Sequence, residues 1–421
     1  MNIGAIIKLN RIKQNLTQEE LAEGIISISY LSKIENGKIE PNDEVIKLLC
    51  LRLGIEINRQ IDDETKALCH EWFRLLLSCT DVEKLKEKYK EVNELVNTIQ
   101  DLELQILLKI HLIRYFLKIG DNDQAFEHLT QLKDFQKTFT LEQKYYWNKF
   151  CGNYYYIIED YNEALKYYTL SEDCLINLEF TDEEIADLAY SLSLTYSKLR
   201  ITSLALRTAS KSLEIYRQIY NFSRCAQCHL ILGISYRRIN NHDNAIKNYQ
   251  LAKQLAEQIN NNEIIQLTHL NLGYLYFVQG KTDQAIDYLD KIVKEEESPL
   301  SDRLLALTSI IEEFYRSKNY VEAKKRIQEG LKWINLGNKE QYLLYYYEIY
   351  THLYLIDQEY EKFEHMLVNE FIPYLEEQKD YAKLTVYAEL LGDHFEKIHR
   401  YKNASYYFKL VNFSYKQLTQ I

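Results

Sequence analysis

A chain of 421 residues with 12 Gly and 3 Pro exceeds one ordinary hydrophobic core and has little turn chemistry for a multi-stranded sheet. An all-α protein in two parts is expected, a small domain followed by a long array. No run of 18 apolar residues occurs, and no basic leader with an apolar stretch and a small-residue cleavage site, which argues against a membrane span or export.

The seven cysteines, an odd number, then read as reduced core residues of a cytoplasmic protein. A net charge of −11, evenly spread, would disfavour a polyanion partner. Residues 1–60, however, hold eight Lys/Arg against eight Asp/Glu, so the whole excess lies on residues 61–421. Such a neutral head binds double-stranded DNA only by placing its few cations well, most readily as a dimer.

In chain order, Ile3, Ile6, Ile7 and Ile12 have helical spacing and predict a first helix over residues 3–14. Thr17-Gln18-Glu19-Glu20 is a capping box, so a second helix begins at Gln18 and runs through Leu21 and Ala22 to Gly24. A third follows at once over Ile28–Glu35, capped by Ser27, ended by Asn36-Gly37, with Leu31 and Ile34 facing inward. Its outward face would be Ser29, Tyr30, Ser32 and Lys33, hydroxyls with one aromatic and one cation, suited to base edges and phosphates in a major groove. A solvated polar face is the alternative reading. A fourth helix, capped by Asn42 and carrying Val45, Ile46, Leu49 and Leu53, closes the small core.

The run from Asn15 to Pro41, with its capping box, small Ala22 and Asn36-Gly37 stop, resembles the Xre/Cro-type helix-turn-helix family over roughly residues 3–57. That resemblance implies DNA binding, with Gln18 anchoring the second helix to phosphate and Ser29, Tyr30 and Lys33 facing the groove.

Beyond residue 60 a small or apolar residue recurs every 38 to 41 positions, at Leu85, Ala125, Ala164, Ala205, Ala245, Ala285, Ala323, Phe363 and Ala404. Twelve residues before this slot stand Gly152, Ser193, Gly233, Gly273 and Gly392. Nine before it stand Phe116, Tyr155, Tyr196, Tyr236, Tyr276, Phe314, Tyr354 and Phe395. The small residue lets one helix approach its neighbour, and the aromatic plugs the gap within a hairpin. The pattern resembles the tetratricopeptide repeat lengthened by about six residues, which implies about nine helical hairpins stacked into a right-handed superhelix with a concave groove. By that analogy the first helices line the groove with Arg114, Tyr146, Lys149, Asn153, Tyr156, Lys198, Arg237, Arg238, Asn271, Tyr274, Glu312, Arg316 and His352. Asn can bond a peptide amide in both senses, and Arg can hold a carboxylate.

Cys225-Ala226-Gln227-Cys228-His229 matches a haem-attachment pattern and half a zinc site, but it lies within a repeat helix and no second cysteine pair completes it. Core packing is the expected role. No phosphate loop, metal-ligand His pair or nucleophile with its base is evident, so neither a cofactor nor an enzyme is expected.

A helix-turn-helix head on such repeats resembles the peptide-responsive regulators of Gram-positive bacteria, the family containing Rgg, Rap, NprR, PlcR and PrgX, and the size is most similar to its NprR branch. The resemblance implies that residues 1–60 bind DNA and residues 61–421 receive a short imported signalling peptide and govern oligomeric state as a homodimer or homotetramer. It also implies binding of a sporulation phosphorelay response regulator when peptide is missing. The competing readings are a phage-type peptide receptor and an interaction scaffold or phosphorelay inhibitor with little DNA-binding role.

Overall fold

The computed structural model describes residues 3–39, 41–54, 62–79, 81–99, 101–178, 180–337 and 339–419. It is all-α, with short 3-10 segments, one π turn and no strand among the described residues. The chain divides into two compact units, Met1–Ser235 and Tyr236–Ile421. The boundary expected at residue 60 falls within 55–61, outside the described residues.

The first unit begins with α1 (Ile3–Lys13), α2 (Gln18–Ala22), α3 (Ile28–Glu35) and α4 (Asp43–Arg52). Their caps follow from single side chains. Thr17 and Glu20 close the capping box, with Glu20 N–H to Thr17 Oγ1 at 3.1 Å and Thr17 N–H to Glu20 Oε2 at 2.6 Å. Ser27 takes the Tyr30 amide at 3.2 Å, and Asn42 takes that of Val45 at 2.9 Å. Gly37, at φ +66°, ends α3 through Lys38 N–H to Lys33 O.

Helix α2 stops two residues before the expected Gly24, and residues 23–27 separate it from α3. Gly24 turns the chain there at φ +70°, a conformation that propagates neither helix. The head's core is Ile7, Leu21, Ala22, Leu31, Ile34, Leu49, Cys50 and Leu53. Ile12, expected on the same face as Ile7, is 48% exposed. The side chains of Ile3 and Ile6 lie outside the described residues.

Paired helices follow: α5 (Asp63–Ser78) and α6 (Val82–Thr98), α7 (Leu102–Lys118) and α8 (Asn122–Lys133), α9 (Leu141–Ile157) and α10 (Tyr161–Cys174), α11 (Asp182–Lys198) and α12 (Thr202–Gln218). The division between units falls within α13 (Phe222–Arg238), and α14 (His242–Gln258) comes next. The second unit continues with α15 (Asn262–Val278) and α16 (Thr282–Val293), α17 (Leu300–Arg316) and α18 (Tyr320–Leu336), and then α19 (Leu343–Asp357). It closes with α20 (Tyr360–Met366), α21 (Ile372–Glu377), α22 (Tyr381–Lys397) and α23 (Tyr401–Thr419). A π turn, Leu367–Phe371, joins α20 to α21 just before Pro373, whose missing N–H and ring cannot serve the i to i−4 ladder.

The periodic residues acquire concrete partners. Every member of the small or apolar slot is buried, from 0% to 3% exposed, including Leu85 and Phe363. A Cβ on Gly152 would stand 2.6 Å from the Tyr168 ring, one on Gly273 2.7 Å from Leu289, and one on Gly392 2.8 Å from Phe408. Close helix contact therefore demands glycine at these three positions. The aromatic nine before the slot stacks on a ring three after it: Phe116 on His128, Tyr155 on Tyr167, Tyr276 on Tyr288 and Phe395 on Tyr407, at 5.1–5.7 Å.

A further regularity sits in the turn. Five residues before the slot in the eight units from Ala125 onward, Gly120, Glu159, Arg200, Asn240, Gly280, Lys318, Gln358 and His399 are all left-handed, with φ between 57° and 80°. The next amide bonds the carbonyl of the periodic aromatic at 2.8–2.9 Å, the six-to-one bond of a Schellman stop. In four units that next residue is Asp121, Asp160, Asn241 or Asn319, whose side chain caps the second helix.

Candidate functional site

In the head, α3 presents Ser29 and Lys33 to solvent, together with Ile28, which is 46% exposed. Ser32 is half-buried, and its carbonyl takes the Asn36 amide at 2.7 Å. Tyr30 differs from expectation: it is half-buried and packs on the head's core, so only part of its ring faces out. Gln18 donates to Glu35 Oε2 at 2.7 Å, leaving one amide hydrogen for other acceptors. The same buried carboxylate takes a fork from Arg11, at 2.6 Å and 3.0 Å, which ties α1, α2 and α3 together. Arg52 spends its guanidinium on carbonyls at the end of α2, that of Leu21 at 3.1 Å. Two of the head's eight cations are thus structural. Glu35 went unnoticed in the sequence because nothing local distinguishes a buried helix-end Glu from a solvated one.

In the first unit the first helices α7, α9, α11 and α13 bring together a polar cluster. Lys149, only 2% exposed, pairs with Asp187 Oδ2 at 2.9 Å, and Arg224 reaches Asp187 Oδ1 at 2.9 Å. Burial by itself would raise the Asp187 carboxyl, but Lys149, Arg224 and Arg114 outweigh it and hold it far below the usual range. Arg114 is half-buried beside this cluster, and Lys118 donates to the Cys79 carbonyl at 2.6 Å. Burial, reinforced by Arg114 and Arg224, pushes the Lys118 amine down to about 8.

Asn153 is 6% exposed; its Oδ1 takes the Tyr168 hydroxyl at 2.8 Å while its Nδ2 has no acceptor. Tyr146, 8% exposed, gives its hydroxyl to Glu184, and Tyr156 packs edge-on against Tyr161. Lys198 is exposed, over the Tyr161 ring. A cleft of about 790 Å³, walled by Phe73, Leu77, Leu104, Leu107, Tyr146 and Phe180 and rimmed by Glu142, Glu183 and Glu184, opens between α5, α7, α9 and the start of α11.

In the second unit Arg237 lies over Tyr274 at 4.6 Å, and Tyr274 is 55% exposed. Asn271 donates to Leu267 O at 2.7 Å and takes the Tyr249 hydroxyl at 3.4 Å. Arg238 is exposed, and Arg316 is paired with Glu312 on its own helix. His352 is 7% exposed, with Nδ1 2.8 Å from the Glu348 carbonyl and the Tyr315 ring at its edge, and burial lowers its pKa. It is a packed residue more than an open lining one.

Glu348, 2% exposed, binds Lys383 and takes the Tyr387 hydroxyl at 3.2 Å. Asp187, Arg224 and Glu348 escaped the sequence reading. The available signal was an acid in a slot that is mostly aliphatic or aromatic elsewhere, since Asp187 stands where other units have Leu107, Tyr146, Gln227, Leu267, Leu305, Tyr345 and Val386.

Cys225 and Cys228 are buried packing residues, with burial pushing the Cys228 thiol up to about 12. No helix among the described residues is long and apolar enough to cross a membrane.

Residues 7–59 match the helix-turn-helix family, and residues 226–259 and 268–296 match tetratricopeptide repeats. The transcriptional activator NprA of Geobacillus stearothermophilus is 35% identical over 398 residues, covering 93% of this chain and 97% of that protein. The chain belongs to the Rgg, Rap, NprR, PlcR and PrgX family of regulators. Within this family, response regulator aspartate phosphatase E of Bacillus subtilis (strain 168) is 24% identical over 89% of this chain and 98% of its own length. The apo quorum sensor NprR from B. thuringiensis shares the fold, with a TM-score of 0.71 at 20% identity over 84% of this chain and 99% of that one. NprR solved in complex with its cognate peptide NprX gives 0.60 at 22% identity, over 83% and 98%. The relatives thus include a protein named as an activator of transcription and others named as phosphatases.

Proposed function

We propose that this chain is a cytoplasmic quorum-sensing transcription regulator in which residues 1–60 read an operator and residues 61–421 bind a short signalling peptide. End-to-end similarity to a transcriptional activator, over 97% of that protein's length, carries the reading. The peptide part is supported by a shared fold with NprR solved with NprX, together with orphan donors on the first helices. Ser29, Ser32 and Lys33 would face base edges and phosphates, Tyr30 would do so with its exposed edge, and Gln18 would meet phosphate with its remaining amide hydrogen. Asn153 in the first unit and Asn271 in the second are each candidates to hold a peptide backbone. Arg114, Arg237, Arg238 and Arg316 are the cations available to its carboxylates, and Tyr274 and His352 would flank it.

The peptide acts by preferring one homodimer or homotetramer, which shifts how two operator half-sites are engaged. Similarity along 98% of a response regulator aspartate phosphatase supports a phosphorelay response regulator as a second, peptide-free partner.

The test is footprinting with the full chain and Lys33→Ala. Lys33 is exposed, so the variant should keep the parent's thermal transition and lose specific protection. Unchanged protection would show that α3 is not the reader.

A further inference from the structure

Helix α16 stops early. It has 12 residues where α14, one unit before it, has 17, and residues 294–298, which correspond to the last five of α14, leave the helix. Pro299 disfavours helical backbone at Ser298, and Glu295, Glu296 and Glu297 would crowd negative charge onto the helix's negative end. The segment turns instead, with Ser298 N–H on the Glu295 carbonyl at 3.1 Å and Arg303 Nε on that of Val293 at 3.0 Å. Ten residues after the small slot, Glu295 stands where other units have Leu95, Phe135, Cys174, Ile215, Leu255 or Trp333, or the uncharged Pro373 and Ser414. Helix α8 is as short as α16, but there the buried Phe135 and Phe139 fill the space.

Here the missing turn leaves a cleft of about 420 Å³ between α15, the end of α16 and the start of α17, all within the second unit. This is the size of a small-ligand pocket, so it admits side chains and not a folded partner. Its floor is Leu267, Leu270, Ile292 and Leu305, and Leu267 is 42% exposed. Its rim is Glu263, Glu295, Glu297 and Asp302, and no Lys, Arg or His is among the residues that line it. The neighbouring cations are engaged elsewhere: Lys294 with Asp290, Lys291 over the Tyr288 ring and Arg303 over Trp333. Among the described residues the carboxylates of Glu263, Glu295 and Glu297 make no ion pair and no hydrogen bond. Asp302 takes the Ser301 hydroxyl at 3.4 Å and sits in the first turn of α17, whose positive end offsets part of its charge. Gln266, also on the lining, adds a buried Oε1 with no donor.

The cleft therefore offers acceptors without donors around an apolar floor. Among the described residues no three His, Cys, Asp or Glu stand close enough to hold a metal ion, and a bare ion would leave the floor wet. A neutral apolar group would cover the floor and leave the carboxylates without a partner. A lysine or arginine side chain matches both parts, with an apolar stem and a head that only donates. Leu267 shares its face of α15 with Asn271 and Tyr274, four and seven residues on. An extended chain held at Asn271 reaches the cleft within about two residues, since four helical residues rise about 6 Å.

We propose that this cleft seats a basic side chain of the peptide, a Lys or Arg whose stem lies on the apolar floor and whose head is drawn to Glu263, Glu295 and Glu297. The site rests on the peptide-binding reading and adds to it one ligand chemistry at one place in the second unit.

The test uses the full chain on an array of synthetic heptapeptides, N-acetylated and C-amidated so that the chain ends carry no charge. Each sequence is made with Lys and with norleucine, or with Arg and with citrulline, at the same position. At low salt the parent should prefer the basic member about tenfold, from exposed pairs worth roughly twofold to fivefold each. Glu263→Gln/Glu295→Gln/Glu297→Gln should cut that preference to about twofold or less while neutral peptides stay bound. The three side chains are exposed, so this variant should keep the parent's thermal transition; if it does not, Glu295→Gln/Glu297→Gln takes its place. A chain of net charge −11 draws cations to its whole surface. Glu361→Gln/Glu376→Gln/Glu377→Gln therefore removes the same charge at exposed positions outside the cleft, and should leave the preference intact. A basic preference that persists in the folded cleft variant, one that the distant variant loses equally, or a parent that binds without regard to charge overturns the cleft site alone. A parent that retains no peptide of either kind overturns the peptide reading and the cleft site with it.

Discussion

Asp187→Asn is the most informative perturbation of the first unit, because the change is nearly isosteric and removes only charge. Asp187 is 3% exposed and, among the described residues, supplies the one carboxylate in ion-pair contact with Lys149, itself 2% exposed, at 2.9 Å. Breaking a buried pair from one side leaves the other charge uncompensated, at a cost of roughly 3–5 kcal/mol. The Tyr145 ring, 5.6 Å from Lys149, recovers little of this. Arg224, with 21% of its side chain exposed and the Tyr190 ring 4.8 Å away, loses less.

For a domain of about this size, 1 kcal/mol corresponds to roughly 2–4 °C, so the transition of the first unit should fall by roughly 6–20 °C in calorimetry. The pH response carries a second signature. In the parent, burial would depress Lys149, but Asp187 and Tyr145 more than offset it and its pKa is raised. Without Asp187 burial prevails and the folded pKa drops below the unfolded one. The unfolded state then binds more protons between the two values, so the variant, unlike the parent, gains stability from Lys149 as pH rises toward 10. Asp187→Asn with Lys149→Met removes both charges and should restore most of the loss. A single variant within 1 kcal/mol of the parent, or a double variant no better than the single, would refute the reasoning.

Three further outcomes are expected. His111 is 2% exposed and stacked on Phe73, with a folded pKa of about 3. A depressed basic group loses stability as pH falls from its unfolded value near 6.5, by ~2 kcal/mol at pH 5, so chemical denaturation of His111→Phe should show a correspondingly flatter loss between pH 7 and 5. Arg200 and Lys318 hold left-handed turns at φ 59°; replacing each by Gly should stabilise by about 0.5–1 kcal/mol in urea titration, and a destabilisation would deny that the turn is strained. Gly152→Ala places a Cβ 2.6 Å from the Tyr168 ring and should cost about 1–3 kcal/mol, with a neutral result meaning that the ring and its bond to Asn153 shift freely.

The sequence by itself determined the elements of this protein whose cause is local. Thr17 with Glu20, Ser27, Asn42 and Asn36-Gly37 act within one turn of chain, so the helix starts and the stop of α3 were legible. The forty-residue period was legible for a related reason: each hairpin repeats the same burial problem and solves it with the same small residue. The left-handed turns were hidden because only Gly120 and Gly280 carry the residue that announces them, while Glu, Arg, Asn, Lys, Gln and His adopt the same φ under the constraint of the packed hairpin. The candidate site was legible as residue types on the first helices, but not as a set of free and occupied groups. Whether Arg114 is open and Arg316 is spent depends on which carboxylates other helices bring within 4 Å. That is a property of long-range packing, because the energy of a charge is set by its neighbours and its distance from water, and neither is written in the chain near it.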